Sequence, residues 1–165
     1  MANHLLDLYI GIYKQYQKRW QKMFKIEDNY IDAEKSLSLR LMMESDIFPW
    51  FFLQGKVTKK DELFDYQFVH IFYKNYSINS DYFKHLNPLI DKLKPLSLIR
   101  IKANLNPISN QLIKFDEHQD QFFKCKTAIY YVNDNNGYTM IGDKKVESKS
   151  NRMVFLDAIV TGKQI

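Results

Sequence analysis

The sequence predicts an α+β fold in which helices come first and short antiparallel strands follow. Two observations carry this. Helical apolar spacing appears only before Leu93, whereas from Leu112 onward every ordered segment reads as a short strand. The late segments are separated by "NDNNG" (Asn133 to Gly137) and "GDKK" (Gly142 to Lys145), both strong turn signals. Helices followed by a run of strands imply a mostly antiparallel sheet or barrel.

Taken in order, Leu6, Tyr9, Tyr13, Tyr16, Trp20 and Met23 form a stripe at alternating spacings of three and four, which predicts a helix over 3–25. Its basic residues lie mostly off the stripe. The reading favours a helix laid on the protein's own core over one for a membrane surface. A second helix is expected from Ile31 to Glu44, and "PWFFL" (Pro49 to Leu53) begins extended structure. Gly55 to Asp61 is a polar turn, and Phe64 to Tyr73, mixing aromatic and β-branched residues, reads as a strand. Asn79 to Leu93 is helical, with Ser80 as N-cap and Phe83, Leu86, Ile90 and Leu93 as its stripe. Pro88 inside it implies a kink or two short helices. After Pro95 the chain alternates: Leu96, Leu98, Arg100, Lys102 and Asn104 share one face, and Ile99, Ile101 and Ala103 the other. The remaining strands are expected at 112–117, 127–133, 138–141, 145–148 and 153–156.

A chain of 165 residues with 45% hydrophobic and 26% charged residues is read as one globular domain. The net charge of +5 is scattered over pairs such as Lys59-Lys60, which fits a solvated surface better than a nucleic-acid patch. Cys125 is the only cysteine, so no intrachain disulfide forms, and a reducing, cytoplasmic setting is expected. No apolar run is long enough to span a membrane.

The chemistry concentrates in "EHQD". In a strand, His118 and Asp120 project from one face, so an imidazole nitrogen and a carboxylate oxygen can grip one cation. With a second histidine they would complete a two-histidine, one-carboxylate iron site with open positions. Alone, the triplet occurs by chance in many proteins.

The surrounding text adds more. "KTAIYYVNDNNGYT", together with "FPWFF", "FVHIFYKNYSINSDYF", "LIRIKANL" and "VESKSNRMVFLD", resembles prolyl-4-hydroxylase-like iron(II)- and 2-oxoglutarate-dependent dioxygenases, in particular short members found in marine bacteriophages. The resemblance covers about residues 48 to 157. It implies N-terminal helices packed on a double-stranded β-helix (jelly-roll, cupin-like) core. The chain then divides into an extra N-terminal amphipathic helix at 1–27, mixed helix and strand support at 28–95, and an incomplete β-helix core at 96–165. It further implies Fe(II) and 2-oxoglutarate as cofactors, O2 as cosubstrate, and a protein or small-molecule substrate that is hydroxylated as 2-oxoglutarate becomes succinate. A phage-encoded member would act in the host cytoplasm. His118 and Asp120 match two iron ligands, and Tyr131 matches a tyrosine that helps hold the distal carboxylate of 2-oxoglutarate. Gly137 and Thr139 match a structural turn, and Arg152 the start of the strand leading to the second histidine. Arg100 and Lys102, on the preceding strand, are candidates for touching an anionic ligand.

The pattern is incomplete. No histidine follows His118; the expected ligand position falls on Val160 or Gly162, and the arginine that pairs with 2-oxoglutarate, with the last strands of the barrel, is not found. His70 is the substitute considered as third ligand. Two alternatives therefore stand beside the dioxygenase: a truncated or degenerate homologue serving as a binding or structural protein, and a basic nucleic-acid-binding domain.

Overall fold

The computed structural model describes residues 2–11, 24–54, 66–108, 125–157 and 163–164. Two antiparallel sheets organise them. The larger takes β1 (Asn3–Gly11), β2 (Phe24–Glu27), β3 (Phe51–Gln54), β4 (Tyr66–Lys74), β5 (Ser77–Ile78), β6 (Ser97–Asn106), β7 (Lys126–Tyr131) and β10 (Arg152–Asp157). Their spatial order is β2-β10-β7-β1-β6-β4-β3, with β5 paired to β4. The smaller sheet holds β8 (Tyr138–Ile141), β9 (Lys144–Glu147) and β11 (Lys163–Gln164) in the order β11-β8-β9. The α+β class with a mostly antiparallel sheet stands as read from the sequence.

Helices cover one face of the large sheet. Helix α1 (Ala33–Met43) starts where the Asp32 carboxylate accepts hydrogen bonds from the Glu34 and Lys35 amides, and it buries Ser36, Leu39 and Met43 at helical spacing. Ser80 caps a 3-10 helix, Asp81–Leu86, by accepting from the Tyr82 amide. Helix α2 (Asn87–Leu93) follows directly, with Pro88 in its first turn, where the missing amide hydrogen costs nothing. The expected kink is thus a change from one short helix to another. Leu39, Met43, Leu86, Leu89 and Leu93 pack with Leu6, Leu8, Ile101, Ala103, Tyr130 and Met153 of the sheet. The opposite face carries Leu5, Ile129, Tyr131, Val154 and Leu156, which pack with Ile141 and Val146 of the small sheet.

The helix expected over 3–25 is corrected where it is described: Asn3–Gly11 is a strand, and so is Phe24–Glu27. β1 lies between β6 and β7, paired to both. His4, Leu5, Leu6, Asp7 and Leu8 are all buried, because helices cover one side of β1 and the other belongs to the second core. A strand buried on both sides shows no alternation for a reader to find. The sheet therefore draws strands from all three segments, 1–27, 28–95 and 96–165.

A second correction concerns β6. The register with β1 shifts where Ile10 faces Leu98 and Tyr9 faces Arg100, leaving Ile99 as an extra residue. This bulge reverses the side-chain parity. Leu98 consequently packs on the helix-side core with Ile101 and Ala103, while Ile99 lies against Cys125. Arg100, Lys102 and Asn104 keep their common face; Leu98 does not share it.

Loop 28–32 is tied to β10 by charge. Arg152 Nε donates to Asp28 Oδ1 at 2.6 Å and Lys149 Nζ to Oδ2 at 3.1 Å. The Arg152 hydrogen bond, then that of Lys149, hold the Asp28 carboxyl at about 2 instead of 3.8. Because the folded value lies below the unfolded one, this contribution is complete above 3.8 and fades as the pH falls through about 2. An NMR titration of the Asp28 carboxyl carbon is expected to show a midpoint near 2 in the wild type and a higher one in Arg152→Ala, where Lys149 alone still lowers it. A midpoint unchanged by that substitution contradicts the assignment.

Candidate functional site

The face of the large sheet opposite the helices carries three of the sequence-predicted residues, Arg100, Lys102 and Tyr131. Cross-strand partners share a face. Tyr131 stands opposite Leu5, which on its other side faces Asn104; Asp7 stands between Ile129 and Lys102; Tyr9 stands between Thr127 and Arg100. Tyr131, Lys102 and Arg100 are therefore on one face of three adjacent strands. β6 and β7 are both antiparallel to β1, hence parallel to each other. The chain leaves β6 at Asn106, opposite Asn3, and enters β7 at Lys126, opposite Ile10, so segment 107–125 joins opposite ends of the sheet. His118 and Asp120 belong to that segment and lie outside the described residues, as do Val160 and Gly162.

Tyr131 is 0% exposed, and its hydroxyl donates to Thr139 Oγ1 at 2.7 Å. Burial pushes its hydroxyl up to about 12, with the Thr139 bond opposing. It is a neutral phenol whose proton is committed to Thr139, so any further polar contact from this pair comes from the threonine hydroxyl or the phenol lone pairs. Thr139 thus does more than follow the turn. Gly137 keeps the turn role: its amide donates to Asn135 Oδ1 at 2.8 Å. Arg152 opens β10 as expected, held by Asp28 and by the Glu147 carbonyl at 3.0 Å.

Arg100 and Lys102 are half-buried cations on the same face. Cys125 is nearby: burial raises its thiol pKa, and the positive charge of Arg100 offsets part of that. Asp7 stands opposite Lys102, so a buried carboxylate shares this face with the two cations.

His70, the substitute weighed as third ligand, lies on the other face of the sheet. Its partner in β6 is Ala103, which places it on the helix-covered face. Nδ1 is 2.7 Å from the Pro49 carbonyl and Nε2 is 2.7 Å from Ser80 Oγ. A carbonyl only accepts, so Nδ1 carries the hydrogen and Ser80 donates to Nε2. Burial lowers its pKa, in keeping with a neutral ring locked among Phe48, Phe72 and Tyr82. His4 lies on that same face, against Trp50, and burial lowers its pKa too. Among the described residues no three His, Cys, Asp or Glu side chains group to hold a metal, and no helix is long and apolar enough to cross a membrane.

Sequence reading missed Asp7, a buried carboxylate inside the apolar run "HLLDLYIG". A charge interrupting such a run is the signal that would have flagged it. No family model, curated protein or solved structure matches the chain.

Proposed function

We propose that the chain is an iron(II)- and 2-oxoglutarate-dependent dioxygenase of the prolyl-4-hydroxylase-like type, oxidising a protein or small-molecule substrate, with His118 and Asp120 as two metal ligands. The observation that supports it most is the shared face of Arg100, Lys102 and Tyr131, on the two strands that flank His118 and Asp120 in sequence. Helices fill the other face of the sheet. A dicarboxylate needs cations in a partly apolar setting, and Lys102 is a half-buried basic side chain on this face. Bound iron would supply the oxygen chemistry; the chain's own part is to hold the cosubstrate carboxylates at Arg100 or Lys102 and to exclude water with the apolar residues around Tyr131.

Anaerobic addition of Fe(II) and 2-oxoglutarate is expected to produce a visible metal-to-ligand charge-transfer band, and admission of air to produce succinate. Both are expected to vanish in His118→Ala and Asp120→Ala. Lys102→Ala or Arg100→Ala should raise the KM for 2-oxoglutarate about tenfold or more, since a charge-assisted hydrogen bond contributes about 1.5–3 kcal/mol. Absence of both band and succinate from the wild-type protein refutes the reading.

A second reading, a non-catalytic homologue that binds a carboxylate ligand, is favoured by one observation. His4 and His70 both lie on the helix side, away from Tyr131. Binding of 2-oxoglutarate without succinate formation would select it.

A further inference from the structure

We propose that the edge of the large sheet formed by β3 and β5 joins the same edge of a second copy, strand against antiparallel strand about a two-fold axis. β4 pairs with β6 along one side; on its other side it pairs with β3 from Tyr66 to Val69 and with β5 at Tyr73 and Lys74. β3 and β5 thus lie end to end on one outer edge, and among the described residues neither pairs with a further strand. Such an edge presents backbone donors and acceptors to another strand.

Native edges are commonly blunted with charge, above all lysine. The outer strands β2, β9 and β11 follow that rule, carrying Lys25 and Glu27, Lys144, Lys145 and Glu147, and Lys163. β3 and β5 carry no charge, and neither does any residue from Ile47 to Gly55. Successive β3 side chains point to opposite faces, and both faces are open. Phe51 and Phe52 are each 59% exposed, Leu53 39% and Ile78 58%. Tyr66 and Phe68 hold the Phe52 ring at centroid distances of 5.6 and 5.8 Å, so that side of the edge is pre-organised.

A strand paired antiparallel with its own copy is self-complementary, as a two-fold interface requires. Each copy carries a net charge of +5, and the uncharged edge is where two copies approach with least repulsion. The four exposed apolar residues offer about 400 Å² per copy, half of the about 800 Å² that each partner of a standard complex buries, so the pair is weak and reversible.

Sedimentation velocity of the full chain, without metal, from micromolar to near-millimolar concentration is expected to show a monomer passing reversibly to a dimer and no further. Phe51→Lys and Ile78→Lys set like charges into the paired edge and should each raise the dissociation constant more than about tenfold. Leu41→Lys, at a side chain 58% exposed on α1, should leave the dimer unchanged. Circular dichroism checks each fold; should Phe51→Lys lose it, Ile78→Lys decides alone. A monomer throughout, growth beyond a dimer, or a dimer that the edge variants leave intact or that Leu41→Lys weakens equally overturns the proposal. Since no iron or 2-oxoglutarate is present, this outcome is independent of the succinate assay.

Discussion

Deletion of residues 2–11 is expected to abolish the cooperative urea transition of the protein and to leave a chain with little regular structure by circular dichroism. β1 is the strand through which the two halves of the large sheet meet: β6, β4 and β3 lie on one side, β7, β10 and β2 on the other. Without it both β6 and β7 lose a ladder of backbone hydrogen bonds, and both cores lose leucines. Leu6 and Leu8 are 0% exposed in the helix-side core, and Leu5 is 0% exposed in the core under the small sheet. Truncating a buried leucine costs about 2–5 kcal/mol. Three such losses reach the whole stability of a domain, about 5–15 kcal/mol. Leu6→Ala and Leu5→Ala, one on each face, should each lower the unfolding free energy by about 2–5 kcal/mol with an unchanged urea slope. An appended helix would behave differently: its removal would leave the transition midpoint where it was. That result would refute the central position of β1.

How far the fold was legible follows the physics of each element. α1 could be read because Asp32 precedes it and its buried positions keep helical spacing. β4 and β8 could be read because each alternates, at least in part, between buried and less buried positions. The hairpin turn at Gly142 could be read because its φ of +55° suits glycine. β1 could not, since His4 to Leu8 are buried on both faces and Leu6 and Tyr9 happened to fall on a helical stripe. The bulge at Ile99 was invisible because it is defined by the partner strand, not by β6 itself. The site was legible in part for the same reason. Arg100, Lys102 and Asn104 keep one face because they lie beyond the bulge. The contact of Asn104 with Asp7 joins residues 97 apart in sequence, which no local pattern encodes.

Asn151→Ala is expected to lower stability by about 3–7 kcal/mol, the largest effect of any single polar substitution proposed for this chain. Asn151 stands just before β10 with φ of +59° and is 8% exposed. Its Oδ1 accepts from the Ile31 amide at 3.0 Å and from the Tyr130 hydroxyl at 3.1 Å, and its Nδ2 donates to the Ile31 carbonyl at 2.8 Å. Its own amide donates to the Tyr131 carbonyl, and its carbonyl accepts from the Tyr30 amide, each at 2.9 Å. One residue thereby joins the segment before α1 and the helix-side core through its side chain, and β7 through its backbone. Alanine would leave both backbone groups of Ile31 without partners, at about 1–3 kcal/mol for each buried group. The Tyr130 hydroxyl would keep Ser36 Oγ at 2.8 Å, so it adds little. The left-handed backbone costs alanine about 1 kcal/mol more. Glycine relieves that strain without restoring the bonds, so Asn151→Gly should be about 1 kcal/mol less destabilised than Asn151→Ala. Aspartate keeps an acceptor for the Ile31 amide but sets a carboxylate oxygen against the Ile31 carbonyl and buries a charge, so Asn151→Asp should be more destabilised than Asn151→Gly. Urea midpoints for the three variants decide the matter. An alanine variant within about 1 kcal/mol of wild type would mean that Ile31 finds other partners, and the clamp would then have no energetic role.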